Sequence, residues 1–306
     1  MNWKTKMMIR HSLLALPGGV GLYQWLTRDL LGLQGGMAAK WFRVFPAHIK
    51  VLQEHFGADA RAQRLWCFDC GSTIGAGLAM ALVTDSSGLL TNHRNRLADR
   101  YNDFSRTVLQ DKGAALAELS GAPPERIAEL LRQAAGDSAL AALAAIKMSY
   151  ADTHQCAGAG DWQGSVGCTF SADALEHYTP EELEVEAGNM ARALRKGGVI
   201  SHVVDHRDHL WHADKERGPL HHLTMDDSAY QRQFGNPLDY HNRWLRSSYV
   251  DLFTRHGFTV TCRDVINYTP DLPPLIQSTL APAYRGANEE DLRSLVTHFI
   301  AVNVGF

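Results

Sequence analysis

The chain has 306 residues, of which 45% are hydrophobic and 21% are charged. That length allows one large domain or a core that carries a substantial insertion, and the composition is ordinary for a globular protein. The formal net charge is −3, from 30 Lys and Arg against 33 Asp and Glu, and like charges do not cluster. The charge therefore argues against a nucleic-acid partner or an anionic membrane surface. A small-molecule substrate is the partner that these values favour.

The five cysteines are an odd number in a chain that needs no disulfide bonds to fold, which indicates a reducing compartment. Cys67 and Cys70 form a C-x-x-C motif without a second pair, so structural thiols are favoured over a zinc site. The basic N-terminus resembles a signal peptide only briefly, because Pro17 and Gly18 break its apolar run. No uncharged run is long enough to span a membrane. A cytoplasmic protein without membrane contacts is expected.

Residues 1–62 are predicted to be helical, with aromatic side chains such as Trp41 and Phe45 recurring at helical spacing before a capping Gly57. The aromatic content fits a cap over a ligand site. A helix packed on a sheet would have the same pattern. Both interpretations stay open at this point.

The chain is organised around the stretch from residue 65 to residue 83. A short apolar run, Leu65–Phe68, predicts a buried strand that ends in Asp69, and Gly71 and Gly75 precede an uncharged run that suits a buried helix. A strand, an acid, a glycine-rich turn and a helix are what a nucleotide site at the carboxyl edge of a parallel sheet requires. The spacing is neither a dinucleotide fingerprint nor a P-loop, and a tight structural connection could use the same residues.

The elements downstream alternate between strands and helices. Residues 96–146 are helical with breaks near residues 120–124 and 136–137, which is too long for a simple crossover and predicts a helical insertion, about residues 98–146. Thr179, Pro180 and Glu182 form a capping box that marks a helix start. Further strands are predicted at 88–91, 146–150, 166–170, 199–204, 258–262 and 298–304. This order implies an α/β fold with a parallel, doubly wound sheet.

Several motifs within residues 63–306 resemble the class I S-adenosylmethionine-dependent methyltransferase fold. Residues 164–178 are similar to the family's fourth strand and the Ser…Leu-Glu-His sequence after it, and residues 189–198 resemble the helix and Gly-Gly turn before strand five. Gly257-Phe258 resembles the opening of strand six. The resemblance implies a Rossmann-like, seven-stranded, mostly parallel sheet with an N-terminal helical cap and a helical insertion. It also implies S-adenosylmethionine as the cofactor.

The resemblance also implies a set of cofactor-binding residues. They are Asp69, Gly71, Ser72, Gly75, Asn92, Asp152 and Ser171. The first four would surround the methionine end of the cofactor, and Asp152 is the candidate for the adenine amino group. Asn92 stands where an acid usually binds the ribose hydroxyls, and Gly167 stands where many members carry an Asp. These two departures leave room for an altered reaction.

Methyl transfer is an in-line displacement, so the enzyme positions the partners and supplies a base where the acceptor carries a proton. Such bases should follow strands four and five, at the carboxyl edge of the sheet. The catalytic candidates are His177, Tyr178, Asp205 and His209. The alternative for His177, which the sequence favours, is a helix residue tied to the backbone. No metal is predicted, because the acids and histidines of residues 205–212 lack zinc spacing and suit a hydrogen-bonded scaffold or a pocket wall.

Three functions remain open. The expected one is a biosynthetic methyltransferase that acts on a small metabolite through N, O or C. In the second, the cofactor's own amino group attacks its γ-carbon and releases methylthioadenosine, as in enzymes similar to azetidine-2-carboxylate synthases. The third is a non-catalytic relic that still binds the cofactor. The sequence indicates neither the acceptor nor the oligomeric state.

Overall fold

Seven strands form one sheet in the computed structural model, which describes residues 12–13, 16–26, 36–92, 96–212, 214–235 and 240–305. The strands are β1 Leu65–Phe68, β2 Gly88–Thr91, β3 Met148–Ala151, β4 Val166–Ala172, β5 Leu194–Asp205, β6 Phe258–Asn267 and β7 Ser294–Asn303. Their spatial order is β3-β2-β1-β4-β5-β7-β6. Neighbouring strands from β3 to β5 pair in parallel, and β7 pairs antiparallel with both β5 and β6. The prediction of an α/β, Rossmann-like, doubly wound, mostly parallel sheet is confirmed.

Ten α-helices flank this sheet in the described residues. They are α1 Gly19–Gln24, α2 Gly36–Phe56, α3 Gly75–Val83, α4 Asn102–Ser120, α5 Arg126–Gln133, α6 Ala139–Ala145, α7 Pro180–Ala193, α8 Asp227–Phe234, α9 Arg246–Arg255 and α10 Glu289–Arg293. None of the helices in these residues is long and apolar enough to cross a membrane. The cytoplasmic location stays a prediction.

Helix α7 begins at the predicted capping box. The Thr179 hydroxyl accepts a hydrogen bond from the Glu182 amide at 3.2 Å, and the Glu182 carboxylate accepts from the Thr179 amide at 2.7 Å. The chain then differs from the sequence prediction after Ala193, because β5 begins at Leu194 and runs through Gly197 and Gly198. The Gly-Gly turn that the resemblance implied is therefore an irregular first part of β5, where its register with β4 shifts.

Helix α2 packs directly on one face of the sheet. Phe170 on β4 contacts Phe45 and Trp41, with ring centroids 4.8 Å and 6.1 Å apart, and the Trp41 indole N–H donates to the Cys70 carbonyl at 3.0 Å. Helices α3 to α6 bury apolar side chains in the same cluster, so the region of the predicted insertion covers this face too. Residues 1–11, 14–15 and 27–35 of the predicted cap lie outside the described residues. Whether residues 1–62 act as a cap domain stays a prediction.

Buried histidines bond to serine hydroxyls of the sheet, and one of these contacts joins the sheet to α2. Ser201 on β5 lies 2.8 Å from His48 Nδ1 and 2.8 Å from His298 Nε2, and Ser171 on β4 lies 2.6 Å from His202 Nδ1. Burial lowers the pKa of His202 to about 3 and the pKa of His298 to about 4. These two histidines therefore stay neutral in the folded protein at pH values where the same side chains already bind protons in the unfolded chain.

We expect acid to destabilise the fold below about pH 6.5, the pKa of an unperturbed histidine. Below that pH, His202 and His298 bind protons in the unfolded chain but not in the folded protein. The free energy of unfolding therefore falls by about 1.4 kcal/mol per pH unit for each histidine, until the pH reaches the pKa of that histidine in the folded protein. Urea unfolding at pH 7, 6 and 5 measures the slope. His298→Gln should make the slope shallower by about one histidine's share. An unchanged slope in that variant would contradict the assignment.

Candidate functional site

The winding of the sheet reverses between β1 and β4. From β1 the chain moves outward to β2 and β3, and then β4 and β5 lie on the other side of β1. Ligands of open α/β sheets bind outside the carboxyl ends of the strands at such a switch point. Two acids follow those ends directly, Asp69 after β1 and Asp173 after β4, and both have left-handed backbone angles, with φ +57° and +51°. The candidate site therefore lies between these two turns.

The glycine-rich turn after β1 is held by Asn92, which follows β2. The Asn92 side chain accepts from the Gly71 amide at 2.9 Å and donates to the Gly71 carbonyl at 2.8 Å, and it also donates to the Tyr150 hydroxyl at 3.2 Å. Gly71 has φ +78°, which favours glycine. Asn92 thus braces the turn, with both amide hydrogens engaged. Its contact with a ribose stays a prediction, as does the adenine contact of Asp152, which is exposed just beyond β3.

Gly75 lies against helix α2. A Cβ at Gly75 would stand 2.7 Å from the Ala38 Cα, which real side chains do not tolerate, so packing alone requires glycine here. Ser72 is buried in the same turn, and the Ser171 hydroxyl bonds to His202. The cofactor contacts predicted for Gly75, Ser72 and Ser171 stay predictions. The structure adds a packing reason for the first and a hydrogen-bonding partner for the last.

Tyr178 belongs to a buried hydrogen-bonded chain beneath the site. Its hydroxyl lies 2.8 Å from His154 Nε2, and His154 Nδ1 lies 2.6 Å from the Thr91 hydroxyl at the end of β2. The His154 ring also stacks on Phe68, with centroids 3.9 Å apart. Sequence reasoning missed His154, since nothing in the pattern around it marks a shared network. A direct catalytic role for Tyr178 stays a prediction, because the structure places its ring in the core and its hydroxyl on His154.

Histidines converge over the carboxyl ends of β4 and β5. The His209 ring centroid lies 4.9 Å from that of His177 and 4.3 Å from that of His241. Both His177 and His209 are half-buried, whereas His241 is buried and contacts the Asp205 carbonyl through Nε2 at 3.2 Å. The sequence placed His177 and His209 near each other. His241 was missed, because it lies far along the chain and in no recognisable motif.

Asp205 and Asp208, which follow β5, are both engaged by neighbours. The Asp205 carboxylate accepts two hydrogen bonds from the Arg207 guanidinium, at 2.7 Å and 2.6 Å. Asp208 accepts from the Leu210 amide at 2.8 Å and lies 3.6 Å from Arg217. Asp208 therefore fits the scaffold that the sequence analysis favoured, and the catalytic role of Asp205 stays a prediction.

Glu176 is the carboxyl group that sequence reasoning passed over. Its side chain is 1% exposed, and neither carboxylate oxygen has a hydrogen-bond partner among the described residues. Burial raises the pKa of Glu176 well above its ordinary value, and the negative charges of Asp173 and Asp205 raise it further. One Glu176 oxygen and one nitrogen each from His177 and His209 lie within 4.8 Å of one another. The Leu-Glu-His sequence marked this turn but gave no sign of that convergence.

Comparisons with known proteins give distant structural likenesses. No protein-family model matches the chain, and a search of curated proteins found no match. The CurJ carbon methyltransferase is 13% identical over 83% of this chain and 51% of its own, with a TM-score of 0.40, so this chain spans about half of that protein. A geranyl diphosphate methyltransferase solved with S-adenosylmethionine is 13% identical over 95% of this chain and 93% of its own, with a TM-score of 0.41. A Listeria monocytogenes protein described as a putative S-adenosylmethionine-dependent methyltransferase is 12% identical over 88% of this chain and 99% of its own, with a TM-score of 0.42.

At these identities and TM-scores the likenesses do not bear on activity or substrate. The fold rests on the strand order and directions described above. The reaction, including the ring-closing alternative, stays a prediction.

Proposed function

We propose that this protein is an S-adenosylmethionine-dependent methyltransferase that acts on a small molecule. The observation that carries the proposal is the switch point between β1 and β4, with Asp69 and a positive-φ Gly71 on one side and a cluster of acids and histidines after β4 and β5. Ligands of this class of sheet bind at that edge. The sequence resemblance to class I methyltransferases supplies the identity of the cofactor.

The residues at the end of β1 fit the methionine end of that cofactor. Asp69 is half-buried, and a carboxylate there can pair with a ligand ammonium group through a charge-assisted hydrogen bond. Gly71 has no side chain to block a close approach to the backbone, and Asn92 holds its peptide in place. When bound, S-adenosylmethionine supplies an electrophilic methyl group on a sulfonium.

The acceptor would lie over the carboxyl ends of β4 and β5. The segment after β5 folds back over this edge, where the Asn242 side chain donates to the carbonyls of Leu175 and Tyr178 at 3.0 Å and 2.9 Å. These bonds hold the segment after β5 against the turn that carries His177, and a segment in that place suits a small acceptor better than a polymer. The half-buried His209 is our candidate for the base that removes a proton from the methyl acceptor, because imidazole side chains can take up a proton near neutral pH.

Analysis of products by mass spectrometry tests the proposal. The protein with S-adenosylmethionine and a fractionated metabolite extract is expected to form S-adenosylhomocysteine and a product heavier than its acceptor by one methylene. Protein with the cofactor alone is expected to form neither. Methylthioadenosine formed from the cofactor alone would overturn methyl transfer in favour of ring closure. Absence of cofactor binding in calorimetry would overturn the proposed function altogether.

A further inference from the structure

Glu176, His177 and His209 form the only group of possible metal ligands that the described residues contain, with three ligand atoms within 4.8 Å of one another. Both oxygens of the buried Glu176 lack a hydrogen-bond partner among those residues. Burying such a group without a partner is costly, and a bound cation removes that cost. We propose that these three side chains bind one divalent transition-metal ion.

The hydrogen bond of His177 gives this residue the tautomer that a metal requires. Its Nδ1 lies 3.0 Å from the backbone carbonyl of Tyr240. A carbonyl can only accept, so Nδ1 carries the hydrogen and the Nε2 of the neutral ring carries the lone pair. A carbonyl partner of this kind fixes the ring orientation of metal-binding histidines in general.

The turn that carries Glu176 and His177 is rigidly held. The Asn242 amide donates to the Glu176 carbonyl at 2.6 Å, and the Asn242 side chain bonds to the carbonyls of Leu175 and Tyr178 on either side. In the segment after β5, the Asp208 backbone amide donates to the Pro219 carbonyl at 2.6 Å, next to His209. Both halves of the site are therefore fixed before an ion binds, which lowers the entropy cost of binding.

The surrounding charges leave Glu176 as the carboxylate available to an ion. Asp173 lies 3.1 Å from the Lys40 ammonium, and Asp205 pairs with Arg207 at 2.6 Å. Neither carboxylate oxygen of Glu176 accepts a hydrogen bond from a cationic side chain within the described part of the chain. Because Lys40 and Arg207 balance the two other acids, Glu176 supplies the negative charge beside the two histidines, which favours a cation over an anion.

The ligand set also indicates which ion and which acceptor would bind. Two imidazoles and one carboxylate suit Fe²⁺, Co²⁺ or Zn²⁺ and leave other coordination positions open. His177 and His209 are half-buried, so those positions can be reached from outside. Resting on the proposed function, the inference is that the acceptor is a molecule with an oxygen donor, such as a hydroxyl or carbonyl group, that binds the ion. The ion would then hold the His209 lone pair and would activate the bound oxygen as a Lewis acid, in place of proton transfer to His209.

Metal titration of the full chain tests the site. After treatment with a chelator, the protein is titrated with Zn²⁺ by calorimetry and with Co²⁺ by visible absorption, and one ion per chain is expected. Glu176→Gln keeps the shape and removes the charge, and His209→Ala removes one ligand. Each is expected to weaken binding at least about 100-fold, since even partners of metal ligands are worth 10- to 100-fold. His256→Ala is the control, because His256 bonds to Glu184 at 2.9 Å and is not one of the three proposed ligands. This variant should bind Zn²⁺ and Co²⁺ as the unmodified protein does.

The outcomes separate this site from the proposed function. No binding of Zn²⁺ or Co²⁺, or binding that survives both Glu176→Gln and His209→Ala, overturns the metal site, and the second result would point to the half-buried thiols of Cys156 and Cys262. S-adenosylmethionine binding is measured on the same samples, with circular dichroism to check folding. Metal binding without cofactor binding would leave the site standing and overturn the proposed function.

Open coordination positions have their own test. Acetohydroxamate binds metals through two oxygens, so adding it to the Co²⁺-loaded protein should change the visible spectrum. An unchanged spectrum would overturn the assignment of an oxygen-donor acceptor. The metal site would then be a structural one, with no coordination position open to an acceptor.

Discussion

Replacing Asp69 with asparagine is expected to weaken S-adenosylmethionine binding by about 10- to 100-fold, because a hydrogen bond to a charged group contributes about 1.5–3 kcal/mol. Asparagine keeps the size of the side chain and tolerates the positive φ of +57° at this position. The change therefore removes the charge without disturbing the turn before Gly71. Isothermal titration calorimetry with the cofactor gives the affinity directly.

Asp85 offers a matched control for that substitution. It lies outside the candidate site, where its carboxylate pairs with Arg61 and its side chain is 65% exposed. Asp85→Asn should bind the cofactor as tightly as the unmodified protein. If Asp69→Asn also bound it unchanged, the placement of the methionine end beside β1 would be wrong.

Replacing Phe170 with alanine is expected to cost about 3–5 kcal/mol of the free energy of unfolding, as large-to-small changes of buried aromatic residues do. Phe170 is 0% exposed and contacts the rings of Trp41, Phe45 and His48 on helix α2. The substitution leaves a cavity between that helix and β4, which neither element can collapse to fill. Urea unfolding followed by circular dichroism measures the loss.

Phe104 on α4 is the control, because it is the same residue type at 43% exposure. Phe104→Ala should cost less than about 1 kcal/mol, as surface changes usually do. A single transition in both variants would show that α2 unfolds with the sheet. A loss in Phe170→Ala no larger than in the control would contradict the described packing of α2.

Local patterns in the sequence determined much of the fold. β1 and β2 have the predicted bounds, since each is an apolar run that ends at a polar residue or a glycine. The capping box at Thr179 fixed the start of α7 because all of its hydrogen bonds lie within four residues. Alternation of strands and helices was enough to indicate a doubly wound sheet, since short connections allow few other arrangements.

The tertiary structure alone decided which polar groups meet. Asn92 reached Gly71 because β1 and β2 pair in parallel and end together, so the amide that is predicted to bind a ribose also holds a turn. Glu176, His209 and His241 lie on three segments distant in the chain, and they converge because the connection after β5 folds back over β4. Periodicity reports which face of an element is buried, whereas contacts between distant segments depend on strand order and register, which no local pattern contains.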